Sequence, residues 1–128
     1  MTSELTYLVW VAALTAVMWV PYILNTIIVR GLSDAVGYPD NPQPLAPWAE
    51  RLKKAHYNAV ENLVVFAALV LVLNATQTSN ATTVLACQVY FWARLMHALV
   101  YALAVPWLRT LSFAVAWLCL LALLLQLL

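Results

Sequence analysis

Apolar residues fall along this chain in four long blocks separated by short polar interruptions, and those blocks define the elements it predicts. From Leu5 to Val29 no charged side chain occurs, and about 20 apolar residues in a helix already cross a hydrocarbon core. The next segment, GLSDAVGYPDNPQPLAP, carries two glycines and four prolines, so it reads as a loop without regular structure. A second span opens at Pro47, where proline suits a helical first turn, and runs to about residue 73. After the charge-free connection NATQTSNATT, a third span covers 84–105. Pro106 ends or kinks it, and a fourth span covers 107–127. Inside the first block (5–29), Pro21 removes a backbone donor and predicts a kink or a close helix neighbour. The apolar residues do not alternate over short segments, so a β-barrel is excluded. The expected fold is all-α, a single transmembrane domain formed by a four-helix bundle.

Composition turns this pattern into a compartment. Of 128 residues, 66% are hydrophobic and 9% charged, and the mean hydropathy is +0.88, far from the soluble balance. The chain reads as a multi-pass integral membrane protein whose first partner is lipid. A net charge of +1 with six basic residues gives no reason to expect nucleic acid, which needs many cations. The first block is not a signal peptide, because its leading segment holds Glu4 and no basic residue, and no small-residue cleavage site closes it. Arg30, Arg51, Lys53, Lys54 and Arg109 gather at the ends joined by the first and third connections. That bias predicts a cytoplasmic 31–46 loop, with both termini and the 74–83 loop on the opposite side. Asn74 and Asn80 each begin an Asn-Ala-Thr sequence, read here as a chance match in a loop rich in Asn and Thr. Cys87 and Cys119 both lie in apolar runs and are read as inert.

Candidate chemistry comes from polar residues stranded inside the spans. In the second span Arg51, Lys54, Asn58 and Glu61 share one helical face; in the third, Tyr90, Arg94, His97 and Tyr101 do the same. Counted from the basic ends, Glu61 lies about 20 Å deep and Arg94 about 18 Å deep. An isolated charge there costs at least about 2.5 kcal/mol, so Glu61 and Arg94 are expected to pair inside the bundle. Such a pair can serve only to fix helix register. The remaining polar groups, Arg51, Asn58, His97, Tyr101 and Arg109, exceed what register needs and suggest a polar cavity opening toward the basic side. Several cations, an amide, a phenol and one carboxylate suit a small zwitterion with more than one carboxylate, of which glutathione is an example. No HExxH, CxxC or acid cluster is present, so no metal is expected, and no GxSxG supplies a serine nucleophile. His56 lies off the ribbon and reads as a packing or capping residue.

The sequence R-x-x-K-A-H-x-N-x-x-E at Arg51 to Glu61, followed by A-R-x-x-H-x-x-x-Y at Ala93 to Tyr101 and then Arg109, resembles the MAPEG family, the membrane-associated proteins in eicosanoid and glutathione metabolism. The resemblance covers the whole chain in length and helix count. It implies a four-helix protomer in a homotrimer, with glutathione as co-substrate between neighbouring protomers near the cytoplasmic side. It also implies transfer of glutathione to hydrophobic electrophiles, reduction of lipid hydroperoxides, or isomerisation of prostaglandin endoperoxides. By motif position the glutathione-contacting set is Arg30, Arg51, Asn58, Glu61, Arg94, His97, Tyr101 and Arg109. Arg109 is the candidate thiolate stabiliser and Thr110 a candidate hydroxyl donor, since the thiolate is the nucleophile. Tyr57 stands where several members have arginine. Phe113 stands where some have tyrosine, which argues against the prostaglandin reaction and for a packing role.

Two functions follow as expectations. One is a membrane glutathione transferase or peroxidase acting on lipid-soluble electrophiles. The alternative is a non-catalytic bundle in which the ribbons position helices and bind a lipid headgroup or other small anion.

Overall fold

The computed structural model describes residues 1–128 and is all-helical. Four helical stretches are long and apolar enough to cross a membrane: Ser3–Arg30, Pro47–Ala75, Ala81–Ala102 and Leu108–Leu127. The first is interrupted, giving α1 (Ser3–Val17) and α2 (Trp19–Arg30). Pro21 accounts for the break, because it has no N–H to offer the Val17 carbonyl and its ring crowds that turn. Met18 keeps right-handed helical angles (φ −61°, ψ −27°), so the span is interrupted without ending.

α2 stops at Gly31, whose φ of 78° and ψ of 158° lie where glycine alone is at ease. The connection that composition marks as irregular contains a five-residue helix, α3 (Leu32–Val36). It fits because this stretch lies between Gly31 and Gly37, and the prolines begin only at Pro39. Beyond it the chain is tied back to α2. Arg30 Nε donates to the Gln43 carbonyl at 2.7 Å, and the Ala46 amide donates to Asn25 Oδ1 at 3.0 Å. α4 (Pro47–Ala75) then starts with proline in its first turn.

α4 closes with the Gln77 amide on the Asn74 carbonyl and the Thr78 amide on the Leu73 carbonyl, a Schellman arrangement that turns the chain sharply. α5 (Ala81–Ala102) starts on Asn80. Its side chain accepts from the Thr82 and Thr83 amides while Thr83 Oγ1 accepts from the Asn80 amide, a reciprocal cap. α6 (Leu108–Leu127) completes the bundle.

α5 is the inner helix: 56% of its most apolar stretch is buried, against 22%, 22% and 28% for the other spans. Helices in lipid gain little from hiding apolar surface, because acyl chains are equally apolar; close packing decides the contacts. Small residues permit that approach, with Ala55 and Ala59 of α4 meeting Ala98 of α5 and Met18. Phe66 stacks on Tyr90 with ring centroids 4.0 Å apart, surrounded by Val70, Leu73, Cys87 and Leu123. The outward faces carry Ile28, Val64, Leu118 and Leu125, as a lipid-facing surface requires.

Candidate functional site

The inner helix carries a polar stripe. Thr83, Cys87, Tyr90, Arg94, His97 and Tyr101 follow at alternating spacings of four and three along α5, which keeps them on one face. All but Tyr101 are buried. Within this stripe the Tyr90 hydroxyl, Arg94 Nη1 and His97 Nδ1 are each buried without a hydrogen-bond partner. Buried polar groups are ordinarily satisfied, so three such orphans in register mark the stripe as the interior feature that packing alone does not explain.

Arg94 is 3% exposed and its Nη2 donates to Asn58 Oδ1 across the α4–α5 contact at 2.7 Å. The expected Glu61–Arg94 ion pair is not made within the chain. Glu61 lies exposed on the outer side of α4. The two residues do match in depth, but depth is only one coordinate. Three residues of helix turn Glu61 about 60° away from Asn58, and Asn58 is the residue that faces α5. An amide thus takes the guanidinium that a carboxylate was expected to hold.

At the basic end the chain leaves α5 through a strained corner. Val105 and Ala104 amides return to the Val100 and Tyr101 carbonyls, with Ala104 at φ 58° in the left-handed position that usually takes glycine. This closure leaves the Ala102 carbonyl to accept from Arg51 Nε at 3.0 Å, placing a cation at the negative end of the helix. Trp107 follows with φ 68° and ψ −47°, and the Leu108 amide bonds the Pro106 carbonyl at 2.8 Å. That is a γ-turn of the rare, strained sign. Trp107 is 80% exposed, an aromatic side chain of the kind enriched at membrane surfaces.

The corner encloses a cavity of about 310 Å³ lined by Arg51, Tyr101, Trp107, Arg109 and Thr110 together with the Val100 and Ala104–Pro106 segments. The Arg109 guanidinium carbon lies 5.0 Å from the Tyr101 ring centroid, a cation–π distance. Tyr101 in turn meets His97 edge to face at 5.5 Å. The Arg109 and Thr110 amides, in the first turn of α6, take no backbone acceptor and are available to an anion. Two guanidinium groups, a phenol, a hydroxyl and two amides thus gather donors and positive charge in one cavity, a combination suited to an anion.

Of the residues singled out from sequence, Arg51, Tyr101, Arg109 and Thr110 line this cavity. Asn58, Arg94 and His97 continue inward from it along the α4–α5 contact. Arg30 is engaged with the Gln43 carbonyl, and Glu61 is turned outward. Phe113 packs beside His97, ring centroids 6.2 Å apart, and Tyr57 is exposed. His56 Nδ1 is bonded to the Tyr22 hydroxyl at 2.7 Å, joining the α2 half of the first span to α4 directly after the Pro21 break. The sequence reading did not identify the Trp107 corner as part of a site. Its one signal is the Pro-Trp step ahead of Arg109.

No curated protein and no solved structure matches the chain. A family model does, that of the MAPEG family, over residues 7–128. The matched range takes in all but the start of the first span and the whole of the other three, together with both polar ribbons and the corner at Trp107. This integral membrane protein belongs to the MAPEG family.

Proposed function

We propose that the protein is a membrane glutathione transferase or glutathione-dependent peroxidase, drawing lipid-soluble electrophiles from the bilayer. The observation that carries this reading is the cavity at the basic end, where Arg51, Arg109, Tyr101 and Thr110 converge. The family includes glutathione transferases and peroxidases. In this reading Arg109 stabilises the thiolate, lowering a thiol pKa that is ordinarily about 8.5, and Thr110 donates its hydroxyl to sulfur. Arg51 takes a carboxylate. In transfer, sulfur forms a bond to the electrophilic carbon and the leaving group departs with its electron pair. In peroxide reduction, the thiolate sulfur takes the terminal oxygen as a sulfenic acid, the O–O bond breaks and the protonated remainder leaves as an alcohol; a second glutathione thiol then attacks that sulfur, releasing the oxygen as water and forming the disulfide.

Glu61 belongs to the same proposal. A carboxylate facing acyl chains about 20 Å from the helix start costs at least about 2.5 kcal/mol, so its exposure on a single chain calls for cover. The family is generally trimeric. A neighbouring copy across the Glu61 face, with the ammonium of glutathione between, supplies both cover and countercharge. The test is ultraviolet absorbance of bound thiolate on adding glutathione to the protein in detergent and in bilayers. The signal is expected in the wild type and lost in Arg109→Ala. Its absence from the wild type in both media contradicts the proposal.

A further inference from the structure

At the end of the bundle opposite the basic cavity, Glu4 is the only charged side chain. It is 3% exposed. Its Oε1 accepts from Ser79 Oγ at 2.7 Å and Thr83 Oγ1 at 2.6 Å, while Oε2 is buried with no partner. Beside it lies a cavity of about 380 Å³ lined by Thr2, Glu4, Leu73, Asn74, Gln77 and Ser79. Leu73 and Asn74 belong to the C-terminal turn of α4, a 29-residue helix ending at Ala75, whose end carries partial negative charge, and Gln77 lies just beyond it. A carboxylate and a helix C-terminus thus share one cavity, and no basic side chain answers them.

We propose that this cavity binds a primary ammonium group, presented by an aminophospholipid headgroup or by a free amine. The remaining acceptors, two side-chain amides and two hydroxyls, suit the three N–H donors of such a group. A divalent metal is a poor fit, since calcium takes six to eight oxygens, commonly from several carboxylates, at about 2.3–2.6 Å; one carboxylate is present. A quaternary ammonium is also a poor fit, because it has no N–H to donate and is recognised by aromatic faces, and the lining contains none. The volume is many times the roughly 30 Å³ share of a water molecule, enough for an organic cation. Binding there ties the start of α1 and the 76–80 connection to the headgroup layer, independently of glutathione at the other end.

The test uses the full chain in nanodiscs of mixed ethanolamine and choline phospholipids, followed by detergent extraction and mass spectrometry of retained lipid. Wild type is expected to retain the ethanolamine lipid about tenfold over choline lipid, the preference of a single charge-assisted contact. Glu4→Gln abolishes the preference. Asn74→Lys, at an exposed residue whose side chain takes no hydrogen bond within the chain, supplies a tethered ammonium and abolishes it with the fold intact by circular dichroism. If free ethanolamine raises the melting temperature in choline-only discs and displaces the lipid, the natural source is a soluble amine; if it does neither while the preference holds, the source is lipid. Equal retention of both headgroups by wild type without stabilisation by free ethanolamine overturns the proposal. So does a preference unchanged in Asn74→Lys, or stabilisation by sodium or potassium in place of the amine.

Discussion

Removing the Asn58 side-chain carbonyl isolates the one buried cation in the bundle. Arg94 is 3% exposed, its Nη1 already lacks a partner, and its Nη2 rests on Asn58 Oδ1 at 2.7 Å. A hydrogen bond to a charged group is worth about 1.5–3 kcal/mol, and stranding one partner of a buried ionic contact costs about 3–5 kcal/mol. Ordinary polar contacts between membrane helices average nearer 0.6 kcal/mol, because the unfolded chain in lipid also finds partners. The charge and the existing orphan nitrogen move Asn58→Ala toward the upper figures, to a loss of about 2–3 kcal/mol. Arg94→Met alone removes the charge together with its penalty and costs about 1 kcal/mol or less. In the Arg94→Met background, Asn58→Ala then costs little. The assay is reversible unfolding in mixed micelles for the four members of this double-mutant cycle. An Asn58→Ala loss of the same size in both backgrounds, or none in either, refutes the reasoning.

Other substitutions probe the joints of the fold. Gly31→Ala places a Cβ that meets nothing within 4 Å, so its cost is purely conformational. A loss of about 1–3 kcal/mol is expected in thermal unfolding, from a residue forced to φ near 78°. Ala104→Gly is expected to stabilise by about 0.5–1 kcal/mol, because relief of left-handed strain exceeds the added entropy of the unfolded chain; a lower melting temperature contradicts it. Tyr22→Phe removes the 2.7 Å contact to His56 and is expected to cost about 0.5–1 kcal/mol. An unchanged unfolding midpoint would show that this contact does not hold the kinked first span to α4.

The helices were legible because blocks of apolar residues are a one-dimensional signal, and Pro21 marked the place where the first span breaks. α3 was hidden by counting glycines and prolines over the whole connection, when the prolines lie only in its second half. The polar ribbons were legible as depths but not as directions. Residue spacing placed Glu61 level with Arg94, yet the identity of Arg94's partner depends on which side of α4 packs against α5, and Ala55 and Ala59 decide that by letting the helices close on their face. Three cavity residues, Arg51, Tyr101 and Arg109, were visible from motif position, and Thr110 from the hydroxyl donor that a thiolate calls for beside Arg109. The corner that gathers them was not, since left-handed Ala104 and Trp107 break the preferences on which sequence reading depends. Glu4 meets Ser79 and Thr83 across more than half of the chain, a contact that no local pattern announces.

Glutathione binding at the basic end is the central claim, and ligand-linked stability tests it without assuming turnover. The melting temperature of the protein in bilayer discs is followed across a glutathione titration, with Arg109→Ala in parallel. A ligand confined to the folded state adds about 2.7 kcal/mol at one hundred times its Kd, so a concentration-dependent rise is predicted for wild type and a reduced one for Arg109→Ala. A wild-type midpoint that stays fixed at millimolar glutathione contradicts the account.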